Sequence, residues 1–180
     1  MGNFKEDVAR VEAIVFDVDG VMTDGGIIPT PDGDFIRRYN AKDGYAMASA
    51  IREGMKICVI SGGRGEMLRR RLEMLGVTRM YLNCMDKTAA LGEFLADYGI
   101  AAENVIYMGD DIPDLECMRM VGIPVCPADA AMEVVEASRY VSEFNGGHGA
   151  VRDIVEQVMR AQQKWAKNLK GVLGLPTSEK

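Results

Sequence analysis

The stretch Val11-Glu12-Ala13-Ile14-Val15-Phe16-Asp17-Val18-Asp19-Gly20-Val21-Met22-Thr23-Asp24-Gly25 decides the fold. Its first half is a short apolar run rich in β-branched and aromatic residues, which predicts a strand over Ala13–Phe16. The run is apolar at successive positions, so both faces are buried, as in a parallel sheet covered on both sides. It breaks into two carboxylates and a glycine, and Asp17 and Asp19 therefore leave the carboxyl end of the strand, where open α/β sheets bind their ligands. The same residues could form an acidic turn and nothing more. A calcium loop of the EF-hand type is excluded, because its sixth position falls on Met22 and its twelfth on Ile28.

Outward from that stretch the pattern repeats. Apolar runs at Lys56–Ile60, 80–82, Val105–Met108 and 123–125 predict further strands. Segments with helical spacing at 44–53, 65–75, Lys87–Tyr98, 112–120 and 130–137 lie between them, several closed by glycines such as Gly54, Gly76 and Gly99. This alternation predicts an α/β fold with a doubly wound parallel sheet. Residues 25–39 break it with a Pro-Asp-Gly turn between two β-prone stretches, a hairpin expected to project from the sheet. An amphipathic helix is expected over 150–169, with Val151, Ile154, Val155, Val158 and Trp165 on one side. The chain reads as one domain over 1–169 followed by a mobile tail, 170–180.

Composition narrows the partners. The 27 acidic residues outnumber the 21 basic ones, and a formal charge of -6 argues against nucleic acid and against an anionic membrane surface. The cysteines Cys58, Cys84, Cys117 and Cys126 are widely spaced and form no CxxC pair, which suits a reducing compartment better than disulfides or zinc. No apolar run approaches the roughly 20 residues of a membrane span, and the opening MGNFKEDVAR is unlike a signal peptide, so the expected address is cytoplasmic.

Two carboxylates at a strand end can divide a phosphoryl transfer, one attacking phosphorus while the other protonates the leaving oxygen. A second acidic group, Gly109-Asp110-Asp111-Ile112-Pro113-Asp114, follows the strand Val-Ile-Tyr-Met in the same manner. Alone it reads as a helix start, with Asp111 as cap and Pro113 in the first turn. Paired with the first motif, it supplies oxygen ligands that can converge on one hard cation. Ser61-Gly62-Gly63 offers a hydroxyl and backbone N–H donors after another strand, and Lys87 at a helix start offers a point charge. Ser-Gly-Gly is by itself an ordinary turn and a lone lysine an ordinary solvated side chain.

The order Asp-x-Asp, Ser, Lys, Gly-Asp-Asp, each just beyond a strand or at a helix start, resembles the four motifs of the haloacid dehalogenase superfamily. That resemblance implies a magnesium-dependent phosphatase in which Asp17 is the nucleophile, Asp19 the general acid and base, and Ser61 and Lys87 the phosphate-stabilising groups. Mg²⁺ would be held by Asp17, the backbone carbonyl of Asp19, and Asp110, with Asp111 and Asp114 supporting the metal and Lys87. Neither gap between motifs has room for a cap domain: 17 to 61 is filled by the hairpin, a helix and a strand, and 61 to 87 by a helix and a strand. The site is expected to be open in a monomer, with contacts to a small substrate coming from the hairpin of another subunit.

This capless design is similar to the 3-deoxy-D-manno-octulosonate 8-phosphate phosphatases of lipopolysaccharide inner-core synthesis. The likeness rests on DVDGVMTDG, on Tyr39-Asn40-Ala41-Lys42-Asp43-Gly44, on Arg69-Arg70-Arg71, on GDDIPD and on Gly146-Gly147-His148-Gly149-Ala150-Val151-Arg152. It implies a homotetramer with shared active sites, a phosphorylated sugar acid as substrate, and substrate contacts from Asn40, Gly62, Arg64 and Arg71, the last toward the carboxylate. Relatives commonly read Ser-Gly-Arg where this chain reads Ser61-Gly62-Gly63-Arg64, so Arg64 stands one position later. The related 2-keto-3-deoxynononate 9-phosphate phosphatases carry a glutamate at the position of Gly63 and a lysine at that of Met74, and both are absent. A receiver domain, which also offers an acidic pocket, a Ser or Thr and a Lys, is the rival from another class. Its acceptor Asp follows the third strand, whereas Asp17 follows the first. His148, among glycines, reads as a surface residue, and the 13 methionines read as packing.

Overall fold

The computed structural model describes residues 4–166. Six parallel strands form one sheet: β1 (Ala13–Phe16), β4 (Lys56–Ile60), β5 (Arg79–Tyr81), β6 (Val105–Met108), β7 (Ile123–Cys126) and β8 (Tyr140–Val141). Their order is β5-β4-β1-β6-β7-β8, so β1 sits centrally. The chain winds outward through β4 and β5, then returns to the other side of β1 as β6. That reversal makes a crevice beyond the strand ends between β1 and its neighbours. The register aligns the loops that follow: Phe16 pairs with Val59 on one side and with Met108 on the other.

Alternation along the strands sends side chains to two cores. Ile14, Phe16, Ile57, Val59, Ile106 and Met108 face α2 (Ala41–Arg52), α3 (Glu66–Met74) and α7 (Ala150–Ala161). Ala13, Val15, Cys58, Ile60, Val105 and Tyr107 face α4 (Lys87–Tyr98), α5 (Leu115–Met120) and α6 (Met132–Ala137). Each fully buried Ile, Phe or Met contributes about 1.5–3 kcal/mol, so these double-faced strands fix the sheet firmly beneath its loops.

Several boundaries differ from the sequence expectation. β5 begins one residue earlier than 80–82, and the edge strand β8 was not foreseen, because two residues of half-exposed chain carry no periodic signal. The helix expected over 150–169 ends at Ala161. Gln163 takes a left-handed conformation (φ 56°), and the Lys164 and Trp165 N–H groups donate back to the Met159 carbonyl. The chain thus turns back, and Trp165 meets the Tyr45 ring edge-on at 6.0 Å rather than extending the helix. The tail over 170–180 lies outside the described residues. A short helix, α1 (Phe4–Asp7), precedes the sheet, and Phe4 stacks on Tyr140.

The hairpin forms as β2 (Ile28–Pro29) and β3 (Phe35–Ile36), with Ile28 opposite Ile36. It is tied to the body of its own chain. Both Asp34 oxygens accept backbone N–H groups, Oδ1 from Phe35 and Oδ2 from Met67 in the first turn of α3 (2.7 and 3.0 Å). Helix α3 follows Gly65 and has no cap from its own flanking side chain, so the hairpin supplies it.

Candidate active site

Asp17 follows β1 directly and is 7 % exposed; its N–H donates to the Met108 carbonyl, which stitches the first loop to the strand preceding Asp110. Lys87 opens α4, whose start is capped by Asp86 through the Ala89 N–H. That cap directs the Lys87 ammonium inward, 3.0 Å from Asp17 Oδ1 and 2.8 Å from Asp114 Oδ1. Asp114 is fully engaged: Oδ1 also accepts the Tyr107 hydroxyl at 2.8 Å and Oδ2 accepts the Asp110 N–H at 3.2 Å. Asp111 is exposed, and its carbonyl accepts the Asp114 N–H.

Carboxylate oxygens of Asp17, Asp110 and Asp114 all lie within 4.8 Å of one another. Two unit charges at that distance repel by about 3.5 kcal/mol at an effective dielectric near 20, and Lys87 supplies only one positive charge. Burial, then the neighbouring acids, push Asp17 up to about 6 and Asp110 to about 7. Lys87 is disfavoured by burial, but Asp17 and Asp114 outweigh this and hold its pKa above the usual value. Asp110 Oδ1 is buried with no hydrogen-bond donor, and Asp17 Oδ1 is buried with only the Lys87 ammonium beside it. Such oxygens, with Asp114 already committed to Lys87 and Tyr107, are the donor set a small hard cation takes up, and Asp17 and Asp110 are the residues that could hold magnesium.

Glycines make the approach possible. A Cβ on Gly20 (φ 91°) would fall 1.9 Å from Asp110 Oδ2, and one on Gly146 would fall 1.8 Å from the Gly20 carbonyl oxygen. The glycine loop before α7 is therefore a buttress for the first acidic loop, with the Gly147 N–H donating to the Val21 carbonyl. Asp43 completes it: from α2 it accepts the Gly149 and Arg152 N–H groups at the start of α7. His148 bonds the Gly146 carbonyl at 2.8 Å and takes no part in the acidic cluster.

The remaining predicted residues divide. Ser61 is buried, and its Oγ accepts the Gly63 N–H at 3.0 Å. A Cβ on Gly63 would lie 3.0 Å from Ser61 Oγ and 3.1 Å from Asp19 Oδ2, so those groups converge. Asp19, Gly62 and Arg64 share a cavity of about 370 Å³ with Ile27, Phe35, Arg37, Gly63 and Asn83. Asn40 and Arg71 are absent from that wall. The Asn40 side chain is the N-cap of α2, accepting the Lys42 N–H at 2.8 Å. The Arg71 guanidinium stacks on Tyr39 at 5.5 Å and presses against Gly44.

The cavity stands open in one chain, as expected, but part of its wall comes from that chain's own hairpin. Ile27 and Phe35 line it, and Arg37 is forked onto Asp19: Nε to Oδ1 at 2.7 Å and Nη2 to Oδ2 at 3.1 Å. Sequence reasoning passed over Arg37, Phe35, Asn83 and Tyr107. A polar residue in the apolar run Val-Ile-Tyr-Met was a visible signal for Tyr107. Phe35 lies in β3 and Arg37 just beyond it, and no pattern says that this end of the hairpin meets Asp19.

A family model described as haloacid dehalogenase-like hydrolase matches residues 79–154, the part that carries Lys87, Asp110 and Asp114. A hydrolase of that class accounts for the strand order and for the meeting of the two acidic loops across β1 and β6. A 3-deoxy-D-manno-octulosonate 8-phosphate phosphatase of Yersinia pestis is 36% identical over 167 residues, which is 93% of this chain and 87% of the relative. The chain belongs to the family of 3-deoxy-D-manno-octulosonate 8-phosphate phosphatases. The crystal structure of the phosphatase of that name from Yersinia pestis superposes with a TM-score of 0.86 at 35% identity, covering 89% of this chain and 86% of that one. One from Moraxella catarrhalis, in complex with magnesium ion, phosphate ion and a KDO molecule, gives a TM-score of 0.84 at 28% identity over 88% and 91% of the two chains.

Proposed function

We propose that this chain hydrolyses 3-deoxy-D-manno-octulosonate 8-phosphate to the free sugar acid and inorganic phosphate, a step in lipopolysaccharide synthesis. The observation that carries the reading is Lys87 bridging Asp17 and Asp114 beside the unpartnered Oδ1 of Asp110. A substrate phosphate brings further negative charge to this cluster, and magnesium, when bound, supplies the positive charge that makes its entry favourable. Asp17 bonds to phosphorus as the leaving oxygen departs with a proton from Asp19. Asp19 then takes a proton from the water that attacks the aspartyl phosphate, releasing phosphate and restoring Asp17. Lys87 and the Gly62–Gly63 backbone meet the phosphoryl oxygens, Ser61 donates its hydroxyl to one of them, and Asp114 holds Lys87.

The test is a phosphatase screen over sugar-acid phosphates with and without magnesium, comparing the eight- and nine-carbon compounds. Preference for the eight-carbon compound supports the assignment; preference for the nine-carbon one moves the chain to the sister activity, and metal-independent turnover removes the mechanism.

Assembly and address belong to the same proposal. Ile27, Ile28 and Ile36 of the hairpin are 46%, 62% and 49% exposed, more apolar surface than a short two-stranded ribbon leaves in water without a partner. A homotetramer joined through its hairpins covers them, and light scattering should return four times the chain mass. A monomer of full activity would remove shared sites. The cysteines are free, which suits the cytoplasm, and among the described residues no helix is long and apolar enough to cross a membrane.

A further inference from the structure

Phe35 of the hairpin carries two guanidinium groups, with Arg37 Cζ 5.7 Å and Arg64 Cζ 6.0 Å from the ring centroid. All three side chains line the cavity beside Asp19, the one carboxylate in that wall. Arg37 grips both Asp19 oxygens with a side chain only 2% exposed. Gly63 gives it room, since a Cβ there would stand 2.9 Å from Arg37 Nη2. The wall therefore holds one guanidinium more than its carboxylates, and its fork already demonstrates the geometry that grips a carboxylate.

The same contact has a cost for the reaction. Both Asp19 oxygens accept from Arg37, so the carboxylate must loosen this fork to be free to turn to a leaving oxygen. In the proposed mechanism phosphate is met by Lys87, Ser61 and the loop after β4, which leaves the fork of Arg37 for a different anionic group of the substrate.

We propose that Arg37 is a positioning and specificity residue: it parks Asp19 against the hairpin in the empty site and passes its fork to the substrate's carboxylate, which frees Asp19 to turn to the leaving oxygen. An acidic sugar phosphate then recruits its own acid and base, and an uncharged sugar phosphate leaves Asp19 parked. This rests on the phosphatase reading above and moves carboxylate recognition from Arg71 to Arg37, with Arg64 beside it on Phe35.

The test compares kcat and KM for the sugar acid phosphate and for the analogue whose carboxylate is reduced to an alcohol. In Arg37→Gln, kcat/KM on the acid falls about 10- to 100-fold, the worth of a lost charge-assisted hydrogen bond, while that on the alcohol rises because Asp19 is released. Arg37→Lys, which keeps the charge but not the fork, retains part of the preference for the acid. An equal fall on both compounds in Arg37→Gln, or no change on either, overturns the proposal. So does a preference lost in Arg71→Gln and kept in Arg37→Gln. Failure of the wild-type chain to turn over either compound removes the phosphatase reading and this inference with it.

Discussion

The hydroxyl of Tyr107 lies 2.8 Å from Asp114 Oδ1, donating to it from the core beneath the site. Asp114 is 1% exposed, and this is one of three donors that make its burial tolerable. Tyr107→Phe keeps the ring and removes the donor. It should lower unfolding stability in urea by about 1–3 kcal/mol and reduce kcat through a looser Lys87, with KM changed less. Wild-type stability in that variant would mean that Asp114 does not depend on the hydroxyl.

Asp17→Asn should abolish turnover while the fold persists. The amide cannot attack phosphorus, yet it fills the same space and removes one of three crowded charges. The metal-free variant should therefore melt no lower than the wild type at pH 7.5. Full activity in it would refute the nucleophile assignment.

Magnesium and protons should compete. Burial, then the neighbouring acids, push Asp17 up to about 6 and Asp110 to about 7 from an ordinary 3.8, so the native state keeps protons that the unfolded chain has released. For these two groups, metal-free stability is full below about pH 4 and is lost as the pH rises to about 7. Magnesium binds the ionised pair, so its melting-temperature increment should be large at pH 7.5 and small at pH 5. An increment independent of pH, measured by scanning calorimetry, would place the ion elsewhere.

Gly20→Ala should be as damaging to activity as losing a catalytic acid. Its methyl would overlap Asp110 Oδ2 and sit on backbone at φ 91°, so Asp110 must move. Loss of the magnesium-induced melting shift, with a drop of about 1–3 kcal/mol in stability, is the expected result.

The central strands β1, β4 and β6 were legible because each is apolar on both faces and each ends in a polar loop. The acidic loops followed from those ends, since strands in register bring their successors to one edge. Contacts that depend on tertiary geometry were not legible. Arg37 reaches Asp19 only because the hairpin folds back over its own chain. Asn40 stands just before a helix, where its capping role is local and readable. The end of α7 was missed because the residue that turns the chain, Gln163, is not the glycine that usually marks such a turn.

The bond from the Met67 amide to Asp34 makes the flap a latch on the adjoining helix. Swinging the flap aside deprives that amide of its acceptor, so its hydrogen-exchange rate is a built-in gauge of how often the flap leaves the helix. Ligands that hold the flap in place should slow the exchange of this single proton, and a chain deprived of the Asp34 carboxylate should lose both the gauge and the latch.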